Sequence, residues 1–283
     1  MQYTEFKKRV MNEITPALPI NLRECELKLE AVDKLGSTYD GLIIIRKDTN
    51  VRPVANLNQF YKCIERGDCF EDVMEKIVDT LTMTPPTPVT DSAWIANYEC
   101  AKDKLFIRLS NAERNKKIID RSPHKIIGDL ALTVHILVST NGGMSCGLVD
   151  NDLLKHYGIT EDELFYDAMI SSPEVLPLDI IAIADLGFED MLAVTNKQKL
   201  NGASAIFYTG VLDKLAERLG GNLIILPSSI HETIVIPDMG NYSELIEIVK
   251  AVNGDTVAPS EQLSNNIYRY DAVSHEIEMI EEE

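Results

Sequence analysis

The chain has 283 residues, 45% of them apolar and 25% charged, the balance of a globular protein that can bury a core without disulfide staples. Its 27 basic and 45 acidic residues give a net charge of −18, which argues against a surface for duplex nucleic acid, where a basic face is needed. The first eight residues carry no apolar signal-peptide core, and no apolar run reaches the ~20 residues of a membrane helix, so a cytoplasmic protein that touches no membrane is expected.

Tyr3, Phe6, Val10 and Ile14 recur at helical spacing and predict an amphipathic first helix. Cys25 to Glu30 alternates as a half-buried strand does, and Leu42 to Ile45 supplies a second strand beyond a turn at Gly36-Ser37; the two are expected to pair as a hairpin. After Arg52-Pro53, the residues Leu57, Phe60, Tyr61 and Ile64 predict a helix ending near Gly67. Phe70, Val73, Met74, Ile77 and Leu81 predict another. Thr84-Pro85-Pro86-Thr87-Pro88 forbids helix and sheet. It reads either as a linker over 84–90 between subdomains 1–83 and 91–283, or as a stiff loop within one domain.

Trp94, Tyr98 and Cys100 are placed on a helix, and Leu105 to Leu109 on a short strand. Asn111 to Lys125 is the one locally positive stretch, with Arg114, Lys116, Lys117, Arg121 and Lys125. With His124 it is a candidate site for an anion or an acidic partner; the plainer alternative is a solvated helix face. Leu130 to Val138 is a β-type run, Asn141-Gly142 signals a hairpin, and Met144 to Val149 is its return strand. Asp150 is expected to cap a helix containing Leu153 and Leu154. Thr160 to Glu163 has the capping-box spacing and starts a helix that Ser172-Pro173 should end.

Leu176 to Asp179 leads into the stretch Met191 to Ile236. It holds a strand at Met191–Thr195, a helical turn or strand at Ala203–Tyr208, and a helix at Val211–Leu219 that Gly220-Gly221 can end. Two apolar runs follow, Leu223–Leu226 and Thr233–Ile236. Pro227 closes the first, and the tight connection after it is too short for a parallel crossover, so an antiparallel hairpin is expected, with its first strand central in the sheet. Ser243 is expected to cap a helix bearing Leu245, Ile248, Val249 and Val252 that stops at Asn253-Gly254. Ile267 to Tyr270 should be the last strand, ahead of a solvated acidic tail, Glu276 to Glu283. Together these elements predict an α+β fold: mixed, largely antiparallel sheets with packed helices and a β-α-β-β-α unit near the C-terminus.

The chain carries few motifs with a recognisable chemistry. Gly143-Met144-Ser145-Cys146-Gly147 matches G-x-S-x-G, but it sits in a hairpin strand instead of the strand–turn–helix that strains a nucleophilic serine. Ser229, His231 and Glu232 lie close together, and Ser229 and His231 would share a strand face, so a hydrolase pair is one reading; turn hydroxyls bonding nearby backbone is the other. The five histidines are isolated in sequence, so no metal is expected. Neither a phosphate loop nor a G-x-G-x-x-G opening a helix is present, so no cofactor is expected. Cys25, Cys63, Cys69, Cys100 and Cys146 are scattered without a CxxC and read as buried free thiols of a reducing compartment.

Asn196…Leu200-Asn201-Gly202-Ala203 and Pro227-Ser228-Ser229-Ile230-His231-Glu232, together with Asn111…Asn115-Lys116, Ser122-Pro123-His124 and Leu263-Ser264…Tyr268-Arg269-Tyr270-Asp271, resemble a bacterial family catalogued only as a domain of unknown function and associated with Gram-positive gut anaerobes. That resemblance spans nearly the whole chain, implies a cytoplasmic bacterial protein, and transfers no catalytic residue. The expected function is therefore a non-catalytic protein-interaction or regulatory module with an as yet unknown protein partner. Its rivals are a hydrolase using Ser229 and His231, and an acidic mimic of nucleic acid.

Overall fold

In a computed structural model of the chain, residues 1–46, 52–82, 93–139, 144–183, 190–227 and 229–281 are described. The segments Thr84–Pro88 and Asn141-Gly142 lie outside them. The backbone contacts divide the chain into two units, Met1–Asp91 and Ser92–Glu283. Among the described residues no helix is long and apolar enough to cross a membrane.

In the first unit, helix α1 (Tyr3–Ala17) buries Phe6, Val10 and Ile14, the residues whose spacing predicts it. Strands β1 (Glu26–Lys34) and β2 (Ser37–Ile45) form the expected antiparallel hairpin, and β3 (Val54–Asn56), too short to show a period, adds the third strand in the order β1-β2-β3. Asn56 then caps helix α2 (Leu57–Glu65) by accepting from the Gln59 amide. Helix α3 (Phe70–Thr82) turns Phe70, Val73, Met74, Ile77 and Leu81 inward. These faces make one core with Leu42, Ile44 and Ala55, in which the Phe6 ring meets Tyr61 at 5.6 Å and Phe70 at 6.1 Å. Burying a side chain such as Phe6 contributes ~2–3 kcal/mol.

The second unit opens with two short turns, α4 (Ala93–Ala96) and α5 (Tyr98–Ala101), where one helix is expected. Strand β4 (Leu105–Asn111), the single turn α6 (Lys116–Ile119), and strands β5 (His124–Ile127), β6 (Leu130–Ser139) and β7 (Ser145–Leu148) follow. β6 pairs with β4 on one side and with β5 and β7 on the other, all antiparallel. Asp150 caps α7 (Asn151–Tyr157), and Thr160 with Glu163 forms the full capping box of α8 (Glu161–Val175).

Helix α8 runs through Pro173 instead of ending there. Its last turns carry Ser171 and Ser172, which also serve β4; the Ser172 hydroxyl donates to the Ala168 carbonyl, and Ser171 Oγ lies 2.9 Å from the Asp167 carbonyl. Ser171 Oγ donates to the Leu105 carbonyl at 2.7 Å, Ser172 Oγ accepts from the Ile107 amide at 3.0 Å, and Ser204 Oγ donates to the Ile107 carbonyl at 2.8 Å. The open edge of β4 is thereby closed by side chains, and this packing outweighs the helix-breaking bias of proline.

Strands β8 (Leu178–Ala182) and β9 (Leu192–Asn196), a 3₁₀ turn over Gly202–Phe207, helix α9 (Val211–Leu219), strands β10 (Leu223–Leu226) and β11 (Thr233–Pro237), helix α10 (Tyr242–Asp255), and strands β12 (Ile267–Tyr270) and β13 (Ile277–Ile280) complete the chain. They build a six-stranded antiparallel sheet ordered β13-β12-β10-β11-β9-β8. β10 is central and buried on both faces, as its apolar run demands. One face joins the main core with the α9 residues Val211 and Leu215 and the β4–β6 residues; the other takes Leu245, Ile246 and Val249 of α10.

Several expectations change. Asn241, not Ser243, occupies the cap position of α10, and the helix continues past Gly254 to Asp255, with Ile248 and Val252 exposed and Ile246 buried in their place. β12 is not the last strand: the acidic tail holds β13, whose Glu278 meets Arg269 at 3.2 Å, so alternating Ile277 and Met279 bind the tail to the sheet. No cysteine is buried; Cys69 and Cys100 are exposed and the other three half-buried, all as free thiols. A half-buried network also ties two sheets of this unit together. The Asp129 carboxylate accepts from Tyr268 Oη, from Ser264 Oγ at 2.7 Å and from Asn266 Nδ2 at 3.3 Å.

Candidate functional site

Pro227 ends β10, but the link to β11 is not a tight turn. Its residues on either side of Ser228 are held from two directions. On one side Ile230 donates its amide to the Glu261 carbonyl at 2.8 Å, Ser229 bridges Gln262, and the Pro227 carbonyl accepts from the Ser264 amide at 3.1 Å. On the other side the Ala203 amide donates to the Ile230 carbonyl at 3.1 Å, and Thr195 Oγ1 donates to the His231 carbonyl at 2.8 Å. The two most distinctive sequence runs, Asn201-Gly202-Ala203 and Pro227 to Glu232, are therefore one hydrogen-bonded structure. Gly202 is what lets them meet, because a Cβ there would lie 2.3 Å from Thr195 Oγ1 and 2.6 Å from the His231 carbonyl oxygen.

Within this structure Ser229 Oγ accepts from the His231 backbone amide at 3.1 Å, a turn that a serine hydroxyl commonly closes. The His231 ring is occupied elsewhere. Nδ1 accepts from the Asn201 amide at 3.3 Å, which leaves the ring proton on Nε2, 3.6 Å from Glu261 Oε1. The hydrogen bond from Ser229 Oγ to an imidazole nitrogen that a nucleophile and base require is absent between these two described residues. Glu232 is exposed, and Ser228 lies outside the described residues. Ser145 and Cys146 of the G-x-S-x-G match lie within β7.

Asn201 carries the segment to a second set of residues. Its Oδ1 accepts from Arg108 Nη2 at 2.7 Å, and its backbone takes a left-handed φ of 52°, which asparagine tolerates; Lys199 beside it has φ 54°. Arg108 stands on β4 opposite Thr133 of β6, and Thr133 stands opposite His124 of β5, so the three share a row and a face of the sheet. The next row on that face pairs Phe106 with His135. The Arg108 guanidinium is half-buried, its Nε is fully enclosed without a hydrogen-bond partner, and among the described residues it makes no ion pair. Burial pulls its pKa below the ordinary arginine value, with Cys146 nearby acting in the opposite sense. His135 is fully buried, 3.1 Å from Thr133 Oγ1 through Nε2. Burial first and the Arg108 charge second hold it neutral, well below 6.5.

The basic segment does not form the helix its charges suggest. Asn111 turns the chain by accepting from the Arg114 amide at 2.9 Å, α6 is a single turn, and Ser122-Pro123 leads straight into β5. Arg114 bonds Gln262 at 3.0 Å and the Pro259 carbonyl at 3.3 Å, Lys116 faces Asp120 at 3.5 Å, and Lys125 lies 4.0 Å from Asp162. Lys117 and Arg121 are exposed, while His124 Nδ1 is 2.8 Å from the Ser122 carbonyl. These side chains are thus dispersed over a turn and a strand. Arg108, His135 and Asn201 are site residues that sequence reasoning passed over. The available signal was a single charged or imidazole residue inside an otherwise apolar strand, Phe106-Ile107-Arg108-Leu109 and Val134-His135-Ile136.

Among the described residues, no group of three or more His, Cys, Asp and Glu side chains is arranged to hold a metal ion. Neither the curated proteins nor the solved structures offer a match to this chain. A family of unknown function, DUF5688, does match it, over residues 3–272. The residues that carry the Asn201-Gly202-Ala203 and Pro227–Glu232 structure, and the Arg108 it reaches, all fall inside that span, and the chain belongs to the DUF5688 family.

Proposed function

We propose that the chain is a non-catalytic protein-interaction module that takes an anionic group of its partner, such as a carboxylate, at Arg108. The observation that carries this reading is the uncompensated guanidinium. In a chain with 45 acidic residues, a desolvated arginine that has one amide acceptor and the Cys146 thiol nearby, and no carboxylate beside it among the described residues, destabilises the fold unless something supplies the counter-charge. Functional residues characteristically carry such a penalty. Arginine also offers the fork of donors that suits a carboxylate.

Arg108→Met should therefore melt at or above the parent, by ~1 kcal/mol, because a half-buried charge without an ionic partner among the described residues is replaced by a packing side chain. Isothermal titration with short peptides bearing a free C-terminal carboxylate, against their amidated forms, is expected to find binding that requires the carboxylate and falls tenfold or more in Arg108→Met. Equal binding by parent and variant would overturn the site.

A companion pair of variants bears on the non-catalytic part. Ser229→Ala should lose at most the turn hydrogen bond, ~1 kcal/mol. Ile230→Ala should lose ~1–2 kcal/mol, since Ile230 packs, half-buried, against the core that contains Val211 and Leu215. Thermal denaturation ranks the two. A fluorophosphonate probe that labels the parent and not Ser229→Ala would instead favour a hydrolase.

A further inference from the structure

We infer that the chain self-associates by adding β1 of one copy to β1 of a second, antiparallel, about a two-fold axis at Leu29. β1 is the outer strand of its sheet, nine residues long, in unbroken register with β2 and without a proline. Natural edge strands are usually shortened, bulged, covered, interrupted or charged, because a long plain edge is a template for another strand; the charges of β1 are of both signs, so they repel some registers and attract in another. The edge of β4 is closed by Ser171, Ser172 and Ser204. Among the described residues no such side-chain hydrogen bonds close β1.

The free backbone groups follow from the register. The Ile44 amide donates to the Pro53 carbonyl, so the even positions of β2 turn toward β3 and its odd positions toward β1. Ile43 and Gly41 oppose Lys28 and Glu30, so the even residues of β1 are bonded to β2. Leu27, Leu29, Ala31 and Asp33 direct their amides and carbonyls outward.

The charges name the occupant as a second copy. With the axis at Leu29, Lys28 of each copy stands opposite Glu30 of the other, at the non-hydrogen-bonded positions where side chains come closest. Leu29 then meets its own copy, and Leu27 meets Ala31. An axis at Lys28 would oppose Glu26 to Glu30, and an axis at Glu30 would oppose that residue to itself. An axis at Leu27 matches Lys28 to Glu26 but leaves the far end of the strand unpaired. Leu29 is 36% exposed and borders a groove of about 400 Å³ in which Met11 lies, apolar surface that strand addition would cover.

Analytical ultracentrifugation of the full chain over a wide concentration range tests this. The parent is expected to dimerise reversibly. Lys28→Glu and Glu30→Lys should each weaken the dimer about tenfold or more, since two attractive pairs become repulsive, and the double variant should restore it. Leu29→Pro removes an outward donor without removing a β1–β2 bond and should abolish the dimer. If that variant fails to fold by circular dichroism, the charge reversals alone decide. A parent that stays monomeric throughout, a dimer indifferent to both single reversals, or a double variant no tighter than the singles would each overturn the inference.

Discussion

Gly202→Ala is expected to destabilise the protein by ~3 kcal/mol or more, the largest effect of any single methyl group proposed for this chain. The new Cβ would lie 2.3 Å from Thr195 Oγ1, 2.6 Å from the His231 carbonyl oxygen and 2.7 Å from the Asn196 amide nitrogen. Two of those three atoms are backbone and cannot rotate aside. Relief would require moving the Gly202 turn away from both β9 and the Ile230–His231 segment, which breaks the adjacent Ala203–Ile230 hydrogen bond. Urea denaturation reads the change in midpoint. A variant that unfolds with the parent would show that the backbone relaxes freely there, and that the close approach is not what joins the two runs.

His135 should make the fold sensitive to mild acid. The unfolded imidazole has its ordinary value of 6.5, while burial and the Arg108 charge keep the folded one well below it. The unfolded chain therefore binds the proton first. Stability contributed by the neutral ring is complete above pH 6.5 and is lost as pH falls below that value toward the folded pKa, by ~2 kcal/mol at pH 5 if the folded ring is still neutral there. His135→Gln removes the titration while keeping a group able to reach Thr133 Oγ1, 3.1 Å from the native ring. Denaturation of both proteins from pH 8 to pH 5 isolates the imidazole from the carboxylates, which titrate alike in the two. The gap between the curves should shift by that amount; parallel curves would mean that the ring is protonated in place or reaches water.

The same pair of residues, Arg108 and His135, connects stability with the proposed function. An anion bound at Arg108 would offset the guanidinium charge that helps keep His135 neutral, so binding should raise the acid tolerance of the fold. The acidic region near the C-terminus has a different role from a free tail. Glu278 and Asp271 flank Arg269, which also binds Asp238 at 2.8 Å, so part of the negative charge stitches β12, β13 and the end of β11 together. That arrangement leaves less of the tail available to imitate nucleic acid.

The sequence by itself determined the elements whose signals are local. Phe6, Val10 and Ile14 define α1, Thr160 and Glu163 start α8, Gly220 ends α9 with a left-handed φ of 84°, and the unbroken Leu223–Leu226 run places β10 at the centre of its sheet. Each depends on dihedral preference or on the period at which apolar side chains face one core, and neighbours a few residues away suffice to express it. Tertiary structure alone decided the rest. β3, β8 and β13 are too short or too exposed to show a period, and exist because a longer strand beside them leaves backbone groups to pair. Pro173 stays helical because β4 needs the serines before it. The candidate site joins Arg108, His135, Asn201 and His231 from four separate stretches. Only the packing of β4 and β6 beside the Asn201–Ala203 turn brings them together, because contact between residues so distant in sequence is set by how elements pack and not by any local pattern.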